Sequence, residues 1–182
     1  EANHCVAFDT TMEAELTRRS TLESQMRSGI AKGEFVPYFQ PIIELGTREI
    51  GGFEVLARWQ HPERGLLEPP EFLEIAEASG LISELSLAVM RDALAIAGKW
   101  PSRYRIAVNV SPVQFKDPLL AQRIFKVLSL TGFPPGRLDL EIAESTLIAD
   151  RAFALATIQS LKNSGIAIVV DDFATGYAAL TR

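Results

Sequence analysis

Two β-rich runs joined by a very short turn are the feature that most constrains the fold of this 182-residue chain. The runs EFVPYFQPIIEL and REIGGFEVLARW are separated only by a Gly46-Thr47 turn. A crossover between parallel strands requires about a dozen residues or more, so we expect these two strands to be antiparallel. The beginning of the sheet is therefore defined before any later element is considered.

Helices and strands alternate after this hairpin. Apolar residues at helical spacing predict helices in PPEFLEIAEASG, ISELSLAVMRDALAIAGKW, PVQFKDPLLAQRIFKVLSLTG and DRAFALATIQSLKNSG. Strand-like runs lie between and after them, in YRIAVNVS, RLDLEIAES and IAIVVDDF. The resulting order, β-β-α-α-β-α-β-α-β, predicts an α/β fold in which helices cover a parallel sheet. Five such strands form either most of an open sheet or the first part of a barrel.

The N-terminal part of the chain differs from this alternating part. Thr10 lies three residues before Glu13, which is the spacing of a helix capping box. The apolar residues of the helix that follows form a narrow stripe on a charged surface: Met12, Leu16, Leu22, Met26 and Ile30. Such a stripe favours packing against a neighbour or a second copy over burial in a core. We therefore predict the tail of an upstream domain at 1–9, a linker helix at 10–31 and the main domain at 32–182.

Composition argues against several classes of protein. The formal net charge of −5 disfavours a broad electrostatic interaction with DNA or RNA. A single cysteine, Cys5, excludes a disulfide framework within the chain and fits a reducing compartment. No apolar run reaches the length that spans a bilayer. An anionic ligand would need metal ions or a few well-placed arginines to offset the repulsion.

Polar residues recur at similar places in the strand runs. Glu54 and Arg58 lie in FEVLAR, and Asn109, Glu141 and Asp171 each follow a run of three residues: IAV, LDL and IVV. Sites in α/β folds gather at the C-terminal ends of strands, so these side chains are expected to converge. Their ligand atoms are oxygens, with no histidine or cysteine nearby, which selects Mg²⁺ or Mn²⁺ over zinc.

Each of these residues also has a structural interpretation. Glu54 and Arg58 could form an ion pair of no further function. Asn109 could cap the helix that follows it, and Asp171 with Asp172 could belong to a turn. Four strand ends that carry oxygen ligands are difficult to explain by capping alone, and the set therefore favours a cation site.

Two aromatic residue types stand apart from this set. His61 is isolated and precedes a proline, so we predict a loop residue and neither a general base nor a ligand. Trp59 and Trp100 are predicted to be packing residues, although Trp59 follows Arg58 closely enough to flank the site.

Five motifs resemble one family. In order and spacing, YFQPI, FEVLARWQHPERG, NVSPVQF, LEIAES and DDFATGY resemble the EAL domain, with Glu54-Val55-Leu56 at the eponymous triplet. The resemblance covers about residues 32–180. It implies a TIM-like (β/α)8 barrel with an antiparallel first strand, incomplete in this chain, which holds about five of the eight strands.

The resemblance also implies a function. EAL domains hydrolyse cyclic di-GMP to linear pGpG with two Mg²⁺ or Mn²⁺ ions in bacterial second-messenger signalling. A catalytically inactive cyclic-di-GMP receptor is the alternative, and an unrelated metal-dependent barrel enzyme is a third interpretation that the fold alone does not exclude. The N-terminal segment resembles, more weakly, the end of a GGDEF domain. We therefore expect a cytoplasmic, homodimeric protein in which an upstream GGDEF-like domain regulates this one.

Metal ligands follow from the resemblance position by position. It implies that Glu54, Asn109, Glu141 and Asp171 bind the first metal ion. Asp171 would bridge to the second ion, with Asp172 as a further ligand. The catalytic residues would be Glu54, Asp171 and Asp172.

Substrate contacts follow in the same way. The resemblance implies that Arg58 binds a phosphate and that Gln40 and Leu56 line the substrate groove. Glu144 would organise the loop after the two aspartates, near the dimer contact. In that loop Ala174 replaces the first glycine of the usual Asp-Asp-Phe-Gly-Thr-Gly pattern, which adds strain of about 1 kcal/mol if the position requires a positive φ.

Overall fold

Strands and helices follow one another in the predicted order. The computed structural model describes residues 10–143 and 151–171, with side chains for residues 17–143 and 154–170. Within these ranges six strands, five α-helices and three short 3₁₀ segments are present. None of the helices in the described part of the chain is both long enough and apolar enough to cross a membrane.

The strands form one sheet. Their bounds are β1 (Phe35–Ile43), β2 (Ile50–His61), β3 (Gly65–Leu67), β4 (Arg105–Val110), β5 (Leu138–Ala143) and β6 (Ala167–Asp171). Hydrogen bonds join them in the order β1-β2-β4-β5-β6, with β3 added to β2. The pair β1/β2 is antiparallel, as the short turn predicts, and β4, β5 and β6 continue the sheet in parallel. The described sheet is open, with β1 and β6 at its edges.

One helix precedes the hairpin, and the others lie between the parallel strands along the chain. Their bounds are α1 (Thr10–Lys32), α2 (Leu73–Ala78), α3 (Ile82–Ala97), α4 (Leu120–Thr131) and α5 (Arg151–Asn163). The single helix predicted before β5 is divided into a 3₁₀ segment, Gln114–Lys116, and α4. Asp117 between them is extended (ψ 114°), because a residue before a proline is disfavoured in the helical conformation.

The C-terminal half of α1 enters the core, which corrects the expectation that its stripe stays outside a core. Leu22 is 3% exposed and Met26 is fully buried, in one cluster with Phe35 and Trp59. The stripe is narrow, but the large aromatic surface behind β2 is sufficient to bury it. Gly29 allows α1 to lie close to Trp59, since a Cβ at position 29 would be only 3.0 Å from Trp59 Nε1. The domain division at residues 31 and 32 stays a prediction.

The two faces of the sheet have different environments. The outer face, which packs against the helices, holds apolar residues at most 4% exposed: Ile106, Val108, Val110, Leu138, Leu140 and Ile142. Helix α3 lies against β1, β2 and β4. Trp59 stacks on Phe35 with ring centroids 4.8 Å apart, and Trp100 contacts Phe39 and Phe53. Both tryptophans are therefore packing residues, as predicted, and the opposite inner face carries the polar residues.

His61 is a strand residue rather than the predicted loop residue. It ends β2, is 4% exposed, and accepts hydrogen bonds at Nδ1 from the backbone N–H groups of Glu63 and Arg64, each at 3.1 Å. The tight turn after β2 needs an acceptor for these two N–H groups, and the imidazole supplies it. The turn leads into β3, which the sequence did not predict.

Gly52 determines how closely β2 and β4 approach, and a substitution tests this. It lies opposite Arg105, and a Cβ at position 52 would be 2.6 Å from the Arg105 carbonyl oxygen. Because a backbone atom cannot rotate away, we predict that Gly52→Ala lowers the free energy of unfolding by about 1–3 kcal/mol in urea denaturation. Gly51→Ala is the matched control, since its Cβ would meet Glu44 Cβ at an ordinary 3.8 Å. Equal losses for the two variants would contradict the interpretation.

Candidate active site

Three predicted polar residues converge on the inner face: Glu54 in the middle of β2, and Asn109 and Glu141 near the C-terminal ends of β4 and β5. Glu54 on β2 is level with Ala107 on β4, and Asn109, two residues further, is level with Glu141 on β5. The side-chain amide of Asn109 donates a hydrogen bond from Nδ2 to Glu54 Oε1 at 2.7 Å. Parallel pairing thus brings together Glu54 and Asn109, which are 55 positions apart along the chain.

The next strand continues this row. Asp171 is the last residue of β6 and its backbone is level with Ala143, while Val169 is level with Glu141. The backbone of Asp171 therefore lies at the same edge of the sheet as the cluster. The side chain of Asp171 lies outside the described part of the chain, as do the predicted site residues Asp172 and Glu144 and the departure at Ala174.

The middle residue of the Glu54-Val55-Leu56 triplet faces away from the cluster. Val55 is 5% exposed and belongs to the outer-face core. Alternation along β2 places its two neighbours on the inner face. Valine at this position therefore affects the packing against the helices and not the ligand groups.

Arg58 lies on the inner face, two residues beyond Leu56. Its Nη1 donates to the Ala57 carbonyl oxygen at 2.9 Å, its Nη2 lies 3.9 Å from Glu68 Oε1, and its Cζ is 5.7 Å from the centroid of the Tyr38 ring. The ion pair with Glu54 considered above is not formed, because Arg58 turns toward Glu68. Tyr38 and Glu68 were not predicted, since the contact with Glu68 depends on the unpredicted strand β3.

Gln40 and Leu56 lie on the inner face as well. Gln40 on β1 is directly opposite Glu54, and Leu56 is opposite Tyr38. Gln40 is exposed and Leu56 is half-buried. The residues predicted for the substrate groove thus border the same surface as the oxygen cluster.

A cavity of about 320 Å³ adjoins the cluster. Leu56, Asn109 and Glu141 line one side of it. The rest of the lining is largely apolar, and the cavity extends between the outer face of the sheet and the helices: it is lined by Val55, Val108 and Val110 of the strands and by Pro69, Leu73, Ile82, Leu85 and Val89 of α2, α3 and the segment before them. Apolar walls with a few polar groups at one edge are typical of small-molecule binding sites.

Three polar residues that the sequence pattern did not single out also line this cavity: Glu77, Ser111 and Gln114. Ser111 Oγ donates to Glu77 Oε1 at 2.7 Å, and its backbone N–H donates to Gln114 Oε1 at 3.0 Å. Gln114 is 2% exposed. These contacts hold the turn that follows β4, and the run NVSPVQF, in which Ser111 and Gln114 are spaced by three, was the signal for them.

An ion pair lies on the inner face below the cluster. Arg105 Nε donates to Asp139 Oδ2 at 2.8 Å, its Nη2 donates to Asp139 Oδ1, and its Nη1 donates to the Gly136 carbonyl oxygen at 2.7 Å. The hydrogen bond to Asp139 raises the pKa of Arg105. The negative charge of Asp139, two residues before Glu141, is therefore compensated within the sheet.

The donor chemistry of the cluster suits a hard divalent cation. Among the residues whose side chains are described, no three His, Cys, Asp or Glu side chains are grouped around a common point. The described cluster consists of two carboxylates and one amide, from Glu54, Glu141 and Asn109, and the strand that ends at Asp171 is next to it. All of these groups offer oxygen, which Mg²⁺ and Mn²⁺ prefer.

Fold and site together define a class of protein. Helices cover one face of a sheet that begins with an antiparallel strand, and carboxylate and amide groups converge on the opposite face, which also carries Arg58, as in TIM-like barrel domains. The chain belongs to the EAL domain family, whose profile matches residues 23–182.

Several curated proteins are similar to this chain. An uncharacterized signaling protein of Caulobacter vibrioides is 41% identical over 174 residues, which are 96% of this chain and 22% of that protein. The cyclic di-GMP phosphodiesterase PdeR of Escherichia coli strain K12 is 34% identical, over 98% of this chain and 27% of PdeR. The bifunctional diguanylate cyclase/cyclic di-GMP phosphodiesterase MucR of Pseudomonas aeruginosa is 32% identical, over 95% of this chain and 26% of MucR. The chain spans about a quarter of the length of these relatives.

Solved structures agree with the assignment of this chain to the EAL domain family. The PaMucR phosphodiesterase in complex with c-di-GMP is 32% identical, with a TM-score of 0.79 over 86% of this chain and 65% of that chain. The FimX EAL domain of Pseudomonas aeruginosa bound to c-di-GMP has the same fold, with a TM-score of 0.77 at 22% identity over 86% of this chain and 64% of that one. The predicted family and TIM-like fold are confirmed.

Asn109→Asp tests how closely the oxygen groups converge. The substitution replaces the hydrogen-bond donor to Glu54 by a carboxylate, so two negative charges would face each other beside Glu141. We expect a loss of unfolding free energy about 1 kcal/mol larger than for Asn109→Ala, measured by urea denaturation at low salt with a chelator.

Salt provides the control for this prediction. The additional loss of unfolding free energy in Asn109→Asp, relative to Asn109→Ala, should decrease at about 1 M salt, where the screening length falls to about 3 Å. Equal losses for Asn109→Asp and Asn109→Ala at low salt would contradict the close approach of these groups.

Proposed function

We propose that this chain carries the active site of a cyclic-di-GMP phosphodiesterase, which hydrolyses cyclic di-GMP to linear pGpG in bacterial signalling. The observation that supports this most is the inner-face cluster of Glu54, Asn109 and Glu141, which lies beside an apolar cavity and on the same face as Arg58. PdeR and MucR are named for this activity. Because the chain spans about a quarter of each, the activity is proposed for the whole protein.

We propose Mg²⁺ or Mn²⁺ as the cofactor, with two ions. Glu54, Asn109, Glu141 and Asp171 would hold the first, and Asp171 with Asp172 the second. When bound, such ions stabilise the attacking and leaving oxygens of a phosphodiester. They would also offset the repulsion between an acidic chain, with net charge −5, and a dianionic ligand.

Arg58 would bind a phosphate of the ligand. Its side chain is 16% exposed and is held by the Ala57 carbonyl and the Tyr38 ring. A planar guanidinium donates to two phosphate oxygens at once, so an arginine with a fixed position also orients the ligand. Gln40 and Leu56 would line the groove, with Leu56 offering an apolar contact to a base.

The remaining expectations concern the larger protein. We propose a homodimer in the cytoplasm with a GGDEF-like domain upstream, in which Glu144 organises the loop after Asp172. The bifunctional name of MucR supports the paired domains. Leu22 and Met26 of α1 are buried in the core of this domain, which supports a helix through which a movement of the upstream domain would reach this one.

Product analysis tests the proposed activity. The full-length protein is incubated with cyclic di-GMP and Mg²⁺ or Mn²⁺, and nucleotides are separated by chromatography. We expect pGpG, and we expect Glu54→Gln to lower kcat by about 100-fold or more, because even groups that only support metal ligands cost 10–100-fold. Glu49→Gln is the matched control, since Glu49 is an exposed residue in the turn of the same hairpin.

Three outcomes are distinguishable. Formation of pGpG that depends on Glu54 supports the enzyme. Tight binding of cyclic di-GMP without any pGpG contradicts it and identifies an inactive receptor. Full activity of Glu54→Gln contradicts the assignment of the site.

A further inference from the structure

A carboxylate stands directly beside the arginine that is proposed to bind phosphate. Glu68 Oε1 lies 3.9 Å from Arg58 Nη2. The carboxylate is 69% exposed, whereas the Arg58 side chain is 16% exposed. The arginine is therefore the more buried partner, and the carboxylate of Glu68 is the partner that faces solvent.

The backbone register builds this pair into the hairpin. Strands β2 and β3 pair Trp59 with Leu67, Gln60 with Leu66 and His61 with Gly65. The next position in this register places Glu68 opposite Arg58. Opposite charges directly across an antiparallel pair attract one another, so the backbone course itself favours this contact.

Neighbouring charges reinforce the position of Glu68. Glu71 accepts a hydrogen bond from Arg64 Nη2 at 2.8 Å, and its other oxygen accepts the backbone N–H of Glu68 at 3.4 Å. Arg64 is thus engaged by Glu71. The cation that Glu68 contacts is Arg58.

We propose that Glu68 sets the ligand affinity of this site, because its carboxylate occupies Arg58 in the free protein and must give way to a phosphodiester. The inference rests on the proposed role of Arg58 as the phosphate-binding residue. Glu68 competes in two ways: it pairs with the guanidinium before the ligand arrives, and its charge repels a phosphate bound there.

The size of the effect follows from the exposure of Glu68, because solvent screens its charge. Exposed ion pairs contribute modestly to stability, and the corresponding change in an equilibrium constant is about two- to fivefold. We therefore expect Glu68→Gln to lower the KM for cyclic di-GMP about two- to fivefold, with kcat unchanged. A purely structural role of Glu68 would instead weaken binding when the residue is replaced.

A double-mutant cycle with Arg58→Met tests whether Glu68 acts through the arginine. Glu68→Gln should lower KM in the presence of Arg58 and have no effect in the Arg58→Met background, because the competition is then absent. Glu63→Gln removes the same charge from the same hairpin and is the matched control, expected to leave KM unchanged. KM is measured on the full-length protein from pGpG formation with Mg²⁺. For a protein that forms no pGpG, Kd is measured by calorimetry in the same buffer.

The outcomes separate this inference from the proposed function. If Glu68→Gln binds cyclic di-GMP more tightly than wild type only when Arg58 is present, the inference about Glu68 is supported. This holds whether the protein is an enzyme or an inactive receptor. An unchanged or weaker affinity of Glu68→Gln, or an equal gain in both backgrounds, overturns it while the proposed function stands. No binding of cyclic di-GMP by wild type or by Glu68→Gln overturns both.

Discussion

The candidate site depends on the parallel, in-register pairing of β2, β4 and β5. Side chains on neighbouring parallel strands meet at one level only if the strands approach closely along their whole length. Gly52 permits this approach at the start of β2, where any side chain would collide with the Arg105 carbonyl. Two residues further along β2, Glu54 can then meet Asn109, which in turn is level with Glu141.

Charged residues on the inner face have different partners at different positions along the strands. Near the N-terminal ends of β4 and β5, Asp139 is paired with Arg105. Closer to the C-terminal ends, the carboxylate of Glu54 accepts a hydrogen bond from the amide of Asn109 and, in the described contacts, pairs with no arginine. Arg58 is directed toward Glu68 at the side of the site. This separation leaves the oxygens of the cluster available to a cation, since an arginine inserted among the carboxylates would compete for the same oxygens.

Short-range pattern predicts the α/β order of the elements and the residues that face inward, whereas the TIM-like barrel was implied by the resemblance to the EAL domain. Alternation within β2, β4 and β5 determines which residues face inward, and the Gly46-Thr47 turn determines the first strand pair. The burial of Leu22 and Met26 was missed because a narrow stripe does not indicate what will cover it. Glu68 was missed because its contact depends on the three-residue strand β3, which is too short to produce a recognisable pattern.

Anomalous diffraction from crystals of the full-length protein grown with Mn²⁺ tests the central claim that the inner-face cluster is a cation site. The account predicts an anomalous peak with oxygen atoms of Glu54, Asn109 and Glu141 at about 2.1 Å, the distance typical of small hard cations such as Mg²⁺. A manganese ion bound elsewhere, with these three side chains not coordinating it, would contradict the account.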